Sequence, residues 1–184
     1  LLLSSSITVS SVSTSADNSG LDVDDDSTVT SLTVAHTTPV SIASGKTLSG
    51  AITVTAGSIK LDEAGTLGTT VSMSGGTLDA DESSTVSGAL SHTAGITIDV
   101  ASSKTLTYSG TKISLGAYTL TLSGGGNLVS GGLTLNDADS KLLLNSITLD
   151  SASTSADNSG LDVDDDSTVS SLSVAHTTPV SIAS

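Results

Sequence analysis

The 184-residue chain predicts an all-β fold, a parallel β-helix (β-solenoid) with three short strands in each coil of about 20 residues. Three observations carry this reading. A short period is nested inside a long one. Aliphatic and polar residues alternate between glycine-rich corners. The core vocabulary is confined to small and medium aliphatics, with no Phe, Trp or Cys and only Tyr108 and Tyr118 among the aromatics.

The long period is 140, the offset at which Ser13 to Ser44 recur as Ser153 to Ser184. Two changes separate the copies, Thr30 to Ser170 and Thr33 to Ser173, and Leu2-Leu3 align with Leu142-Leu143. Residues 1–44 and 141–184 are thus equivalent, and near-identical tandem copies build length rather than a single catalytic centre. The whole of 1–184 is expected to be one continuous solenoid cut from a longer array, with the residues after Ser184 following Gly45-Lys46-Thr47-Leu48-Ser49-Gly50. Leu1-Leu2-Leu3 resembles the end of a signal peptide, but its match to Lys141-Leu142-Leu143 makes it a repeat segment.

The short period appears in the aliphatic residue that follows a Thr-like position: Val29, Leu48, Leu67, Val86, Leu106, Leu128, Leu142, Val169. The steps of 19, 19, 19, 20, 22, 14 and 27 place seven coils in each long repeat. Leu21, Val40, Ile59, Leu78, Ile98, Leu120 and Leu161 each stand eight residues before a member of that series, which predicts a second buried ladder. Within a coil, Ile52-Thr53-Val54, Ile59-Lys60-Leu61 and Gly65-Thr66-Leu67 show the two-residue alternation of half-buried strands. Ala56-Gly57, Ser74-Gly75-Gly76 and Gly124-Gly125-Gly126 mark corners that need positive φ. Stacked at about 4.8 Å per coil, seven coils rise roughly 34 Å. The usual crossover rule makes the winding right-handed.

Composition narrows function. With 36% hydrophobic residues rich in Val, Ile and Leu, the chain is too apolar for disorder. Nineteen acidic residues against five lysines and no arginine give a net charge of −14, which excludes phosphate neutralisation and hence nucleic-acid binding. No apolar run is long enough to span a membrane. Without arginine and almost without aromatic rings, the chain lacks the usual equipment of a polysaccharide-cleaving β-helix, and it is expected not to be an enzyme.

The coils resemble the parallel β-helices of filamentous-haemagglutinin-type adhesins and autotransporter passenger domains, which share the richness in Gly, Ser, Thr and aliphatics; the long period also resembles giant repetitive surface fibre proteins. The resemblance implies an extracellular or cell-surface location and a structural or adhesive role. Its partners would be neighbouring repeats and laterally associated chains.

Candidate sites are few. Aligned by coil, Asp62 stacks on Asp81 and Glu63 on Glu82, where like charges repel by roughly 0.9 kcal/mol in bulk water. These four, with Asp22 and Asp24 and their copies Asp162 and Asp164, are the candidate calcium ligands, although neither Asp22 to Asp26 nor its copy follows an EF-hand loop. The 14-residue connection from Ile147 to Leu161 predicts a loop leaving the shaft at Ser153 to Gly160 and at Ser13 to Gly20. His36, its copy His176, and His92 read as turn or solvent-facing histidines. The alternative function is a ligand-binding repeat for a divalent cation, a glycan or ice. For ice, outward Thr28, Thr47, Thr66, Thr85 and Thr105 would form one column and Thr33, Thr53, Ser72, Ser91 and Ser114 a second.

Overall fold

The computed structural model describes residues 1–68 and 70–182, and within them every strand pairing is parallel and no helix occurs. The coils form a three-sided shaft. Face A is a ten-stranded ladder running through Leu2–Leu3, Leu21–Val23, Thr38–Ile42, Ser58–Leu61, Thr77–Ala80, Ile96–Val100, Thr119–Ser123, Lys141–Asn145, Gly160–Asp164 and Val180–Ile182. A 14-stranded network makes the other two sides, faces B and C. In some coils one strand bends round the corner between them, as in Ser27–Val34, Thr47–Val54, Thr148–Thr154 and Thr168–Val174; in others two strands share the work, as in Thr66–Leu67 with Thr70–Met73. Each coil therefore contributes three strand segments, as the alternation pattern requires.

The bend has a local cause in Thr47–Val54. Gly50 takes φ +119°, and a Cβ there would lie 1.5 Å from the Val29 carbonyl oxygen. The ladder skips Thr30 at this point, passing from Val29 opposite Gly50 to Ser31 opposite Ala51. Only a residue without a side chain lets the two backbones approach so closely while the strand turns.

Inward positions form one continuous aliphatic core. Ile59, Leu78, Ile98, Leu122 and Leu144 are consecutive register partners on face A, and Leu48, Leu67 and Val86 on face B; all are at most 2% exposed. Inward hydroxyls at the corners find backbone acceptors. Ser84 Oγ donates to the Glu63 and Glu82 carbonyls at 3.0 and 3.1 Å, and Ser27 Oγ donates to Asp25 O at 3.0 Å.

The structure corrects the expected register in three places. Leu142 lies on face A between Leu120 and Leu161, and its place on face B belongs to Leu149, which pairs with Leu128 and Val169. The uneven steps of 14 and 27 arise from Leu142; with Leu149 they become 21 and 20. The two aliphatic series also slip by two residues at two levels. Val40 faces Leu61 rather than Ile59, and Ile98 faces Leu122 rather than Leu120. On face B, Val29 faces Gly50 and Val86 faces Tyr108. A slip of two preserves the side of the strand, so Val29, Val40, Leu61, Val86, Ile98, Tyr108 and Leu122 all stay in the core. Finally, no loop leaves the shaft at Ser153: Ser153 and Thr154 belong to strand Thr148–Thr154, and the rest makes an ordinary tight corner.

With the register corrected, the step from one coil to the next on face A runs from 19 (Leu21 to Val40) to 24 (Ile98 to Leu122). Seven ladder steps on face A separate Leu2–Leu3 from the equivalent Lys141–Asn145. Ala183 and Ser184, the last residues of the second copy, lie outside the described residues.

Leu67 is fully buried between Leu48 and Val86, so Leu67→Ala should cost about 2–5 kcal/mol in urea unfolding. Thr66→Ala on the outward side of the same strand should cost less than about 1 kcal/mol. Equal effects of the two substitutions would contradict the assigned facing of this strand.

Candidate functional site

The acidic corners and the hydroxyl columns are the two features of the surface with chemical potential. The register places Leu61 opposite Ala80, so Asp62 and Asp81 do follow each other in adjacent coils. Their carboxylates nevertheless have different partners. Asp62 Oδ1 accepts the Ser41 hydroxyl at 2.7 Å from the preceding coil, whereas Asp81 takes the Lys60 ammonium, which also stands 3.5 Å from Asp79. Glu82 is met by Lys104 of the next coil at 2.6 Å, and Glu63 is exposed. In the first copy of the acidic run, Lys46 reaches back to Asp25 at 2.8 Å, while Asp26 Oδ1 accepts the Thr47 N–H at 2.8 Å. Lysines thus rivet adjacent coils at three levels and supply the positive charge that an acidic ladder needs.

The remaining candidates are scattered. Asp22 is exposed on face A opposite Leu2 and Ser41, and Asp24 is exposed at the corner beyond it. Asp162 lies between Leu143 and Ser181, and Asp164 beside Asn145. Among the described residues no three His, Asp or Glu side chains converge to hold a metal ion.

Local electrostatics follow from these contacts. The Lys46 hydrogen bond, helped by the Asp26 N–H, holds the Asp25 carboxyl below the usual carboxylate range, and Asp25 in turn raises Lys46. Lys60 is raised chiefly by its bond to Asp81. Burial pushes Asp79 up, and the nearby Lys60 only partly offsets it. Asp150 is the opposite case. Burial raises it, but the Ser130 N–H and hydroxyl at 3.1 and 2.9 Å and the Gly131 N–H at 3.0 Å outweigh burial and leave it lowered. This carboxylate clips its own coil to the corner of the coil before.

The duplicated segment, in place of the expected loop, is a corner with a fixed internal structure. Asn18 and Asn158 adopt φ of 61° and 63°, and their N–H groups donate to the Thr37 and Thr177 carbonyls at 2.7 Å. Asp17 and Asp157 accept the Thr37 and Thr177 N–H groups at 2.9 Å. His36 and His176 stand 3.6 and 3.5 Å from those same carboxylates, half exposed, in keeping with turn histidines. His92 differs: its Nδ1 lies 3.1 Å from the Ala94 carbonyl, and its Nε2 is buried without a protein partner.

The hydroxyl columns are interrupted, on face B by the two-residue slips and on face C where Leu90–His92 and Ile113–Ser114 share no pairing. Thr47, Thr66, Thr85 and Thr107 are consecutive partners, but Thr28 stands beside Ser49 and Thr105 beside Asn127. On face C, Thr33, Thr53, Ser72 and Ser91 are consecutive, and Ser114 joins Thr134 and Ser153 instead. The lysine rivets, the Asp150 clip and the Asn corners escaped sequence reasoning because each joins residues one coil apart. The signal that could have found them is a Lys or Asp recurring one coil from its complement.

No protein-family model, curated protein or solved structure matches the chain. Of the expected resemblance, the structure shows the parallel β-solenoid itself, stacked three-sided coils. Among the described residues no helix is long and apolar enough to cross a membrane.

Because the folded pKa of Asp150 lies below its unfolded value, its contribution to stability is complete above the ordinary carboxylate range and is lost as pH falls through the folded value. Urea midpoints of the parent chain should decline with acid below about pH 4, and Asp150→Asn should lower the neutral-pH midpoint and flatten that decline. An acid slope identical in the two proteins would remove Asp150 from the account. Asp79, raised by burial, works in reverse, and its favourable contribution fades as pH rises through its folded value.

Proposed function

We propose that this chain is a non-catalytic spacer, a segment of an extracellular or cell-surface fibre or stalk whose task is to hold its ends a fixed distance apart. The observation that carries this reading is the whole-number relation between sequence and structure: one long repeat, from Leu2-Leu3 to Leu142-Leu143, occupies seven ladder steps on face A. Each copy begins on the side where the previous one began, so adding repeats lengthens a rod without changing its cross-section. The aliphatic core and backbone ladders supply stiffness, and the acidic surface favours solubility and mutual repulsion between rods. Adhesion and lateral association belong to the same proposal, with equivalent groups recurring once per repeat.

The Thr47–Thr66–Thr85–Thr107 column favours one second reading, a ligand-binding face for an ordered surface such as ice. Thermal hysteresis separates the two: a spacer shows none. Calcium, in the spacer reading, acts on stability rather than chemistry.

Proteins carrying one, two and three repeats should lengthen by roughly 34 Å per repeat in electron micrographs or small-angle scattering, at constant cross-section. Globular particles of growing diameter would end the spacer proposal. If the acidic corners hold calcium, melting temperature should rise in millimolar Ca²⁺ over chelator at matched ionic strength, and more so with more repeats. Coincident curves would leave the lysines as the only counter-charge that matters.

A further inference from the structure

Face C is interrupted once among the described residues. Leu90–His92 pairs with Thr70–Met73 of the preceding coil, and Ile113–Ser114 pairs with Leu133–Leu135 of the following one. The two strands are the opposite ends of the 14-stranded network and share no backbone pairing. Faces A and B pass through the same level unbroken, through the pairings of Ile98 with Leu122 and Val86 with Tyr108.

An oversized core side chain explains the gap. Tyr108 continues the column of Leu67 and Val86 and is 4% exposed. Its hydroxyl accepts the Leu90 N–H at 2.9 Å, a donor that strand pairing with the next coil would otherwise satisfy. The ring thus stands where a backbone carbonyl would come. Beyond it, Ser109, Thr111 and Lys112 are exposed, and Gly110 lies so close to the Gly88 carbonyl and the Tyr108 hydroxyl that a Cβ would sit 2.2 and 2.7 Å from them. His92 meets Tyr118 edge to face at 5.6 Å between ring centroids. Both tyrosines and the one histidine outside the duplicated pair gather at this level.

We propose that this level is a yield point, where the shaft opens before it opens anywhere else in its interior, with the Tyr108 hydroxyl as the latch. Elsewhere, parting two coils breaks ladders on three faces together. Here two faces hold, and the third is closed by a single side-chain hydrogen bond and an aromatic contact. Local opening follows the fewest backbone hydrogen bonds, so this coil should have the lowest opening free energy in the interior. The proposal concerns the shaft itself and holds under either functional reading.

Hydrogen exchange on the whole chain tests it. Amides of 90–92 and 113–115 should exchange faster than the face C amides of 71–73 and 133–135. Tyr108→Phe keeps the ring but removes the acceptor, and it should speed exchange at Leu90 about fivefold while leaving Ile98 on face A unchanged. Limited trypsin digestion of the parent protein gives an independent readout, because the chain has five lysines and no arginine. The first cut should fall after Lys112. Protection at 90–92 equal to that at 71–73 would overturn the proposal. So would an unchanged Leu90 rate in Tyr108→Phe, a uniform rise on all faces, or a first cut after Lys46, Lys60, Lys104 or Lys141.

Discussion

Everything in this molecule depends on the parallel backbone ladder between one coil and the next. Its hydrogen bonds fix the spacing of coils, and the spacing forces each inward side chain to sit on its counterpart one coil away. The duplicated segment provides an internal control. Leu32, Val34, Val40 and Ile42 are at most 1% exposed beneath the following coil, whereas their copies Leu172, Val174, Val180 and Ile182, with no described coil stacked on them, are 40–76% exposed. Identical residues are thus buried or open according to whether a neighbour is stacked on them. Burial here is a property of the contact between coils, and stability grows by nearest-neighbour terms as in other repeat architectures.

This constraint explains the unusual composition. A column of stacked side chains accepts Val, Leu and Ile interchangeably, because each adds a similar volume above the last. A ring does not fit the column, and the one that enters it, Tyr108, does so where face C is interrupted. Corners are under the opposite demand. They must turn sharply and still satisfy backbone groups, and the chain does this with Gly50, with αL Asn18 and Asn158, and with the inward hydroxyls of Ser27 and Ser84.

Most of the fold was legible in the sequence because its two signals are strong. Alternation identifies the buried side of each strand, and the nested periods identify the coil. Register was less legible, since an extra pair of residues in a corner leaves alternation intact; Val40 and Ile98 illustrate this, each buried as expected but opposite a different partner. Leu142 misled because Leu142, Leu143 and Leu144 offer several apolar choices with no polar residue between them. The acidic positions were visible individually, but their pairing with Lys60, Lys104 and Lys46 rests on side-chain reach between coils.

The seven-coil repeat also bears on how such a chain can change. Two copies share not only a sequence but a hydrogen-bonding frame, for Leu2–Leu3 and Lys141–Asn145 occupy the same face seven steps apart. Unequal recombination between copies, wherever it falls, joins a strand to the strand that would have followed it anyway. Inserting or removing a whole 140-residue repeat in this frame would leave no seam in the core, because every coil would keep the neighbours it needs.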